Sequence, residues 1–466
     1  MKLTTLSKIF LSAALTASVF SACDKKLDLE PRQSIDASTA IQTAADVEAA
    51  VVGAYSVMGG GALYGTNLLL YPDIMASHFP NTEQYASWRG TFTGPQQIAR
   101  KTMNRNNGEA ARVWTAAYLA INTANIVLDN LDKVDDADLK AQYEGEALFV
   151  RGIMHFELVR YYGLPWGAGS ASTNPGVVIK TTVTKTEEQA AEKLPRNTVA
   201  EVYAQVIADL TAAAGKLPDD NGTRADRYTA LAFLARVFAQ QSDYVNARDV
   251  ANAVIQSDKY AMNASVRAVY DNKNTSESIF EIQQNDQNNA GTANDGMATF
   301  YSSLPGIGRG DVRIAPNFVN SYDPDDLRVN EWYYIGTGAR PGNLYTSKWK
   351  SFSQNLPVIR IAEMYLLRAE MNLRLGTNVG ATPAEDLAEI RNPIRTNLAT
   401  IAAPTLDDVL YERLIELAFD GVRIHDIKRL KQSFSIYSWD DDILVWPIPQ
   451  IEIDATEGIL TQNPGY

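Results

Sequence analysis

Residues 225–258 read ADRYTALAFLARVFAQQSDYVNARDVANAVIQSD, and this stretch decides the fold. Its two halves, separated by a turn at Ser242 and Asp243, each carry apolar residues at spacings of three and four. These residues are Ala230, Leu234 and Val237 in the first half, and Ala247, Ala251 and Val254 in the second. Such spacing places them on one face of a helix, and the small alanines let two helix backbones approach closely. The stretch therefore predicts two helices packed along matching faces.

The pair covers 34 residues, the length of a tetratricopeptide repeat (TPR). Other helical patterns are longer and less regular, and several begin at a capping box, in which Thr is followed three residues later by Asp or Glu. The predicted helices cover 43–58, 109–131, 136–162, 198–217 and 357–375, with further helices starting at 382 and 405. The sequence predicts a mainly α-helical protein with TPR-like repeats, long irregular loops and a few short strands.

The segment 260–356 lacks helical periodicity, apart from a short predicted strand at 278–283. Asn, Asp and Gly accumulate within 285–296, and aromatic residues are frequent in the remainder. A long irregular segment inside a helical domain is usually either functional or disordered. The aromatic content argues against disorder, so we expect this insert to contribute to function.

The first 22 residues are typical of a secretory signal, because two lysines precede an apolar run at 9–19 that is too short to span a membrane. Two small residues then lead into Cys23, the only cysteine in the chain. A single cysteine cannot form an internal disulfide and needs another explanation. Its position predicts a lipoprotein signal, with cleavage before Cys23 and lipidation of that residue. An ordinary signal peptide with an incidental cysteine is the alternative.

The polar stretch at 23–34 contains a proline and has no periodicity, so we expect a flexible tether between the lipid and a single domain at 35–466. The formal net charge is −13, and loss of two lysines with the signal leaves −15 (−13 − 2). Such a surface repels phosphate backbones and anionic lipids, which argues against nucleic-acid binding. Membrane attachment is therefore expected to be covalent.

Catalytic motifs are weak in this sequence. The three histidines, His78, His155 and His425, are not spaced with a second His or Cys as a metal site requires. No nucleophile-elbow sequence accompanies them, and His155 lies within a predicted helix, where a packed core residue is the simpler interpretation. Carboxylate pairs for glycoside cleavage stay open, because their separation in space decides that question.

Three further segments resemble phosphate-binding or calcium-binding loops, but their patterns are incomplete, so we interpret them as turns or loops. The glycine-rich segment 306–310 lacks the strand and helix that a phosphate loop needs, so it is interpreted as a turn. The Asn/Asp-rich segment 285–296 and the acidic run 440–442 do not follow the EF-hand spacing. Calcium binding is left open there but is not predicted, and the sequence predicts no cofactor.

Six sequence blocks occur in the same order as in one known family. They are 156–165 (Phe156, Tyr161, Tyr162, Gly163, Pro165), 195–210 (from Pro195 and Arg196), RIAEMYLLRAE at 360–370, 412–429 (Glu412, Arg413, Glu416, Gly421, Arg423), WPIP at 446–449, and QNPGY at 462–466. With these blocks behind a lipidation cysteine, the chain resembles the SusD/RagB family of outer-membrane nutrient-binding lipoproteins. The resemblance extends from Cys23 to Tyr466.

The resemblance implies a TPR-like protein that sits as a lid on a SusC-like, TonB-dependent barrel transporter. Members commonly bind oligosaccharides, some bind peptides, and starch-binding members build an aromatic platform from loops. Sugar rings stack their C–H faces on flat aromatic rings, so we expect ligand contacts from exposed Trp and Tyr. The predicted contacts are Trp88 in the loop after the first helix and Tyr301, Trp332 and Tyr334 in the insert.

Other conspicuous residues receive a structural interpretation. Trp166 and Trp446 belong to structural motifs and are predicted to lie in the core. The charged residues of the 412–423 block predict partly buried ion pairs that hold a helix to the turn after it, rather than an acid/base pair. They are therefore not assigned to the binding site.

The sequence as a whole predicts a non-enzymatic lipoprotein on the outer membrane of a Gram-negative bacterium, which binds an oligosaccharide and passes it to a partner transporter. A peptide ligand with the same transporter is the first alternative. A surface glycoside hydrolase is the second, and a structural adhesin is less favoured than either.

Overall fold

The structure, a computed structural model, describes residues 41–78 and 84–466. The chain from Thr43 to Tyr466 forms one compact unit. No helix within these two ranges is both long and apolar enough to cross a membrane. The predicted signal at 1–22, the lipidation site Cys23 and the tether at 23–34 lie outside the described residues, so these assignments stay predictions.

The described chain is mainly α-helical, as predicted, and its strands are short. The elements of the first half are α1 (Ala44–Met58), α2 (Asn67–Met75), β1 (Ala86–Trp88), α3 (Thr93–Arg100), α4 (Gly108–Asp129), α5 (Ala137–Tyr162), α6 (Glu187–Ala190), α7 (Val199–Lys216), α8 (Arg227–Gln240) and α9 (Tyr244–Ile255). Those of the insert are α10 (Ala268–Asp271), β2 (Ser278–Ile282), α11 (Met297–Tyr301), β3 (Val312–Ile314), α12 (Pro316–Val319), α13 (Leu327–Trp332), β4 (Tyr333–Ile335) and β5 (Leu344–Thr346). The chain then continues with β6 (Leu356–Arg360), α14 (Ile361–Leu375), α15 (Pro383–Ile390), α16 (Pro393–Thr396), α17 (Leu406–Glu416), α18 (Arg423–Arg429) and α19 (Gln450–Ala455).

The long helices pack side by side as a TPR-like array. Going along the chain, α4 packs on α5, α5 on α7, α7 on α8, α8 on α9, and α9 on α14. The predicted pair at 225–258 corresponds to α8 and α9, in which Ala230, Ala247 and Ala251 are fully buried. Burial of these small side chains agrees with the close backbone approach inferred from the sequence.

The sequence predicts the first residue of a helix accurately where a capping box precedes the helix. Thr43, Thr198, Thr382 and Thr405 each accept a hydrogen bond from the backbone N–H three residues on, and the acidic residue there reaches back to the threonine N–H. These reciprocal bonds satisfy donors that the first helical turn leaves open. The four predicted capping boxes are therefore confirmed.

The predicted start of a helix at Pro357 is wrong. Residues Leu356–Arg360 form β6, and the helix α14 begins only at Ile361. β6 pairs antiparallel with β2, the strand predicted near 278–283, and all five of its residues are buried. This long-range pairing overrides the local helical pattern, because it buries both faces of an apolar segment. The helix α2, which contains Pro72, is likewise absent from the sequence-based prediction.

The insert is less irregular than its sequence suggests. Its short strands pair antiparallel with one another or with strands outside the insert, in two-stranded sheets β1–β3, β2–β6 and β4–β5. The glycine-rich segment 306–310 is a turn, as predicted, and its three glycines have φ values of 75°, 76° and 63°. β1 packs against α2 and α3, and β3 packs beside β5 and α11.

A buried ionic cluster joins the insert to the C-terminal helices. The carboxylate of Glu416 accepts hydrogen bonds from Arg328 at 2.8 Å, from Arg360 at 3.0 Å and from Arg395 at 2.7 Å. All four side chains are almost completely inaccessible to solvent. The sequence predicts partly buried ion pairs around 412–423, and the structure buries them more deeply. These groups hold the fold together and have no access to a ligand.

Candidate ligand-binding site

Four short strands bring together loops that are far apart in the sequence. β1 pairs with β3, which places Trp88 opposite Val312. β3 packs beside β5, and β5 pairs with β4, which places Tyr345 opposite Tyr334. The resulting surface includes two of the four predicted ligand contacts. We call it the Trp88 face, and it comprises Trp88, Phe92, Arg309, Asp311, Tyr334 and Arg340.

Phe92 supplies the open ring of the Trp88 face. Its side chain is 44% exposed, and the guanidinium carbon of Arg309 lies 4.2 Å from the centroid of its ring. Trp88 is set more deeply, at 9% exposed, and packs against Phe300 with 5.5 Å between ring centroids. A Cβ added at Gly90 would lie 2.6 Å from the Trp88 indole, so the backbone passes in contact with this ring. The face thus offers one open ring and one recessed ring.

Asp311 organises the arginines of the Trp88 face. Its carboxylate is buried and forms ion pairs with Arg309 and with Arg340, whose Nη2 lies 3.4 Å from Asp311 Oδ1. Arg340 Nε also donates a hydrogen bond to the carbonyl of Arg309 at 3.1 Å. Burial raises the pKa of Asp311, while the two guanidiniums act in the opposite direction. Both arginines remain partly exposed, so fixed charged donors lie beside the open ring.

Tyr334 is half-buried at one end of the Trp88 face. Its hydroxyl oxygen accepts a hydrogen bond from the backbone N–H of Ser303 at 2.8 Å and shares another with Ser302 Oγ at 3.1 Å. Its ring lies 6.0 Å from that of Tyr345. These contacts fix the ring, and the next residue, Ile335, is 58% exposed. Trp88 and Tyr334 therefore stay predicted ligand contacts.

Two of the four predicted contacts need correction, because Tyr301 and Trp332 are fully buried. The Trp332 indole N–H donates to the carbonyl of Val266 at 2.9 Å, and the Lys348 ammonium lies 4.1 Å from the centroid of its ring. Tyr301 packs against Phe419 with 5.9 Å between ring centroids. Neither ring has a face open to solvent, so both belong to the core rather than to a stacking platform.

A small recess of about 70 Å³ opens beside Trp88. It is lined by Ser77, Ser87, Trp88, Arg89, Gln96, Ala99 and Arg100. The indole N–H of Trp88 is buried and has no acceptor among the described residues. Lys101 lies behind the recess, where its ammonium donates to Ser77 Oγ and to the carbonyl of Ala99, each at 3.1 Å. Burial lowers the pKa of Lys101 to about 7.

Two larger clefts lie elsewhere on the molecule. One, of about 420 Å³, is lined by the end of α1, by β2 and by Asn288 and Asn289 of the Asn/Asp-rich loop. The other, of about 480 Å³, is lined by α4, the loop before α7 and α19. Within residues 41–78 and 84–466, no cluster of His, Cys, Asp or Glu is arranged to hold a metal ion.

The described histidines have structural environments. His155 is fully buried, its Nδ1 lies 3.0 Å from the carbonyl of Arg151, and its Nε2 accepts from the Lys180 N–H at 3.2 Å. Burial lowers its pKa to about 3, and burial also lowers the pKa of His425 well below its usual value. The prediction that His155 is a core residue is confirmed. Trp446 is also fully buried, as predicted, whereas Trp166 is half-buried and packs on Tyr203.

Sequence reasoning missed Phe92, Arg309 and Arg340. Phe92 lies two residues after Gly90 in a polar loop, and an apolar ring in such a loop is the signal that could have identified it. Arg309 lies inside the segment for which the sequence predicts only a turn. Arg340 carries no local signal, because its place in the site depends on Asp311, twenty-nine residues away.

Comparison with known proteins agrees with this architecture. A family model described as "starch-binding associating with outer membrane" matches residues 26–239, and one described as "SusD family" matches residues 323–442. SusD-like protein P2 of Formosa agariphila is 25% identical over 91% of this chain and 93% of its own length.

Solved structures share the fold over nearly the whole chain. A SusD superfamily protein from Bacteroides vulgatus is 25% identical, with a TM-score of 0.79 over 91% of this chain and 100% of that one. Surface glycan-binding protein A from Bacteroides fluxus is 21% identical, with a TM-score of 0.74 over 91% of this chain and 100% of its own. The order of sequence blocks, the TPR-like array and these matches lead to one conclusion: the chain belongs to the SusD/RagB family.

Proposed function

We propose that this protein binds an oligosaccharide at the Trp88 face and delivers it to a SusC-like, TonB-dependent transporter in the outer membrane. Membership of the family supports a nutrient-binding role at the cell surface. The observation that carries the choice of face is the open ring of Phe92, which lies against the guanidinium of Arg309 at 4.2 Å. Arg340 is paired with the same carboxylate as Arg309, that of Asp311.

The chemistry of a sugar matches this arrangement. A pyranose ring presents apolar C–H groups on its faces and hydroxyl groups around its edge. The faces gain from contact with an aromatic ring such as Phe92. The hydroxyl groups can accept hydrogen bonds from the guanidinium groups of Arg309 and Arg340. Because Asp311 holds both arginines, these donors are largely ordered before the ligand arrives, which lowers the entropic cost of binding.

The first experiment is calorimetry of the protein against a panel of glycans, followed by the Phe92→Ala variant with a glycan that binds. Loss of an aromatic anchor at an exposed site should weaken binding by about 1 kcal/mol, or about fivefold. Leu119→Ala is the matched control, because Leu119 is 54% exposed on α4 and lies outside the Trp88 face. Unchanged affinity in Phe92→Ala would show that the glycan binds elsewhere.

The proposal includes no chemical step on the ligand. Glycoside hydrolases need two carboxyl groups about 5–9.5 Å apart across the bond that is cleaved. The Trp88 face as defined contains one, Asp311, which is buried and paired with two arginines. A bound glycan should therefore remain intact during long incubation, and shortened products detected by mass spectrometry would support a hydrolase instead.

Lipidation and transporter binding are separate parts of the proposal. The support for lipidation is Cys23, the only cysteine, placed directly after a signal-like segment. Labelled palmitate should enter the wild-type protein in its native host but not a Cys23→Ser variant. The support for the transporter is the family relationship, and recovery of a TonB-dependent barrel with the affinity-tagged protein would test it.

A further inference from the structure

We infer that the cleft of about 420 Å³ at the end of α1 is a second binding site of this protein, and that it takes a neutral oligosaccharide. We call it the α1 cleft. It is formed by the end of α1, by residues 223 and 224, by β2 and by the Asn/Asp-rich segment 285–296. The inference adds a site to the proposed function and does not depend on ligand binding at the Trp88 face.

The α1 cleft is large enough for part of an oligosaccharide. Sites for small molecules in proteins typically have volumes of about 300–1000 Å³, and this cleft lies within that range. The recess beside Trp88, by contrast, has a volume of only about 70 Å³. A sugar ring that the recess cannot admit therefore has room in the α1 cleft.

One face of α1 supplies open apolar surface to the cleft. Val52 is followed by Tyr55 and Ser56 three and four residues later, so all three share one face of the helix. Val52 is 53% exposed, and Tyr55 is half-buried, with its ring centroid 6.4 Å from that of the buried Phe280. Val52 and Tyr55 therefore offer a small apolar area, which suits contact with the C–H face of a sugar ring.

The Asn/Asp-rich segment supplies hydrogen-bonding groups and is ordered by its own side chains. Asn285 Oδ1 accepts hydrogen bonds from the backbone N–H groups of Gln287 at 2.9 Å and of Asn288 at 2.8 Å. Asn289 Oδ1 accepts from the N–H of Thr292 at 2.8 Å. The Asn288 side chain lines the cleft, is exposed and has no hydrogen-bond partner within residues 41–78 and 84–466. Its amide, with two donors and one acceptor, is free to bind adjacent sugar hydroxyl groups.

Arg224 lines the α1 cleft and is held from behind by a buried acid. Glu146 is completely buried, and its carboxylate lies 3.4 Å from Arg224 Nε. The same carboxylate accepts hydrogen bonds from Gln142 Nε2 and Asn221 Nδ2, each at 3.0 Å. The Arg224 side chain is 27% exposed, and its guanidinium has no other ion-pair or hydrogen-bond partner in the described part of the chain. Its remaining N–H groups can therefore donate to sugar hydroxyls, and the ion pair limits its motion before a ligand arrives.

The charges that line the cleft balance, which favours a neutral ligand. The charged lining residues are Arg224 and Glu281. Glu281 is 4% exposed, and its Oε2 accepts from the backbone N–H of Asn274 at 2.9 Å and from Asn355 Nδ2 at 2.8 Å. A ligand therefore meets amides, hydroxyls and one guanidinium rather than a field of one sign.

A peptide suits the α1 cleft less well than a sugar. An extended peptide usually gains specificity from pockets that receive its alternate side chains. Apart from Val52 and Tyr55, the large apolar side chains that line this cleft are buried. The open surface thus consists mainly of amides and hydroxyls around a small apolar area, as the hydroxyl-rich edge and C–H face of a sugar require.

The first test follows the methyl resonances of Val52 by nuclear magnetic resonance. These resonances are assigned by their loss in Val52→Ala. The protein is then titrated with maltohexaose, laminarihexaose, cellohexaose, xylohexaose and mannohexaose. At least one of these neutral glycans should shift the Val52 resonances in a saturable manner. If none does, the inference is wrong, whatever binds at the Trp88 face.

Two variants test the position of the site. Ser56→Trp introduces a bulky ring from an exposed position of α1 and should abolish the Val52 shift. Asn288→Ala removes an amide without an internal partner, so it should weaken binding about fivefold and leave Tm unchanged. Ala49→Trp is the control, because Ala49 is exposed two turns earlier on the same helix and does not line the cleft. Equal effects of the two tryptophan variants, or unchanged affinity in Asn288→Ala, would refute the assignment.

Phe92→Ala separates the inference from the proposed function. This variant should weaken binding at the Trp88 face but leave the affinity measured at Val52 within about twofold. If Phe92→Ala abolishes the Val52 shift, there is one site and the second site is wrong. If the Val52 shift is present and sensitive to Ser56→Trp while Phe92→Ala changes nothing, the inference stands and the choice of the Trp88 face is wrong.

The class of ligand has its own controls. Raising NaCl from about 50 to about 500 mM should leave the affinity at Val52 within about twofold, because the ligand is neutral. A large loss of affinity at high salt, or tighter binding of oligogalacturonate than of every neutral glycan, would contradict a neutral ligand. A tetraalanine peptide with blocked ends that shifts the Val52 resonances when no glycan does would identify a peptide site instead.

Discussion

Replacing Glu363 with Gln should destabilise the protein far more than replacing an exposed glutamate. Glu363 lies at the start of α14 and is 2% exposed. Its carboxylate accepts from Arg236 Nη2 at 2.6 Å and from Arg413 Nη2 at 3.1 Å. It thereby links α8 of the helical array to α14 and α17. A glutamine side chain at this position would fit the same space but would leave two buried guanidinium groups facing a neutral amide.

The pKa of Glu363 gives the magnitude. Burial alone would raise this pKa, but the charge of Arg236, followed by that of Arg413, lowers it to about 2 from the usual 4.5. At about 1.4 kcal/mol for each tenfold change, this difference corresponds to about 3 kcal/mol at neutral pH. Removing one partner of a buried ion pair typically costs about 3–5 kcal/mol, which agrees. For a unit of roughly 420 residues, such a loss lowers Tm by about 4 °C.

The pH dependence of the effect has a definite sign. Because the pKa of Glu363 is depressed in the folded state, its stabilisation is complete above about pH 4.5 and is lost as the pH falls towards 2. The difference in unfolding free energy between wild type and Glu363→Gln should therefore shrink, from about 3 kcal/mol at pH 7 to about 2 kcal/mol at pH 3.5.

The assay is urea unfolding followed by circular dichroism at both pH values, with thermal scans as a second measure. Glu385→Gln is the control, because Glu385 is the exposed capping-box residue of α15 and Gln can take that role. The unfolding free energy of the control should be close to that of the wild type, because Glu385 is exposed. A Glu363→Gln variant as stable as this control, or a difference that grows on acidification, would refute the reasoning.

Two further predictions concern packing. Trp332→Ala should lower the free energy of unfolding, measured in urea, by about 3–5 kcal/mol, because the Trp332 ring is fully buried. Phe92→Ala should leave this free energy nearly unchanged, because the Phe92 ring is open to solvent. Equal losses in the two variants would contradict this difference in burial. Gly421→Ala should lower Tm, because Gly421 has a φ of 80° and the new Cβ would lie 2.7 Å from Leu69 Cα. Gly376→Ala is the control, because Gly376 has a φ of 64° but open space around the Cβ position, so this variant should lower Tm by less. If both variants lower Tm equally, the contact with Leu69 is not the cause of the loss at Gly421.

Features of the fold that depend only on residues close together in the sequence could be predicted from the sequence. The cap at Thr43 requires only Asp46 three residues later, and the helix begins at Ala44 as the pattern indicates. The wrong prediction of a helix start at Pro357 arises because the structure there depends on residues far away in the sequence. Residues 356–360 carry an apolar pattern that suits a helix or a strand, and the choice is made by pairing with β2, about eighty residues earlier. Such long-range pairing leaves no mark on the local sequence.

The candidate site was predictable only in part, and for a related reason. Trp332 and Phe92 are both aromatic residues in segments without clear periodicity, and nothing nearby distinguishes the buried ring from the open one. The distinction arises from tertiary contacts. The carbonyl of Val266 and the ammonium of Lys348 enclose Trp332, whereas Phe92 has a guanidinium on its ring and solvent beyond it.

The net charge of the chain does not show how the charged residues are distributed over its surface. The value of −13 argues against a phosphate-backbone partner, because such a partner contacts an extended surface. A ligand that binds in one recess experiences only the charges within about a Debye length, roughly 8 Å at physiological salt. The pairing of β1 with β3 places Arg313 opposite Ser87 and so joins arginines more than 200 residues apart in the chain. An acidic total therefore does not exclude a local concentration of arginine side chains, and the strand pairing decides where that concentration lies.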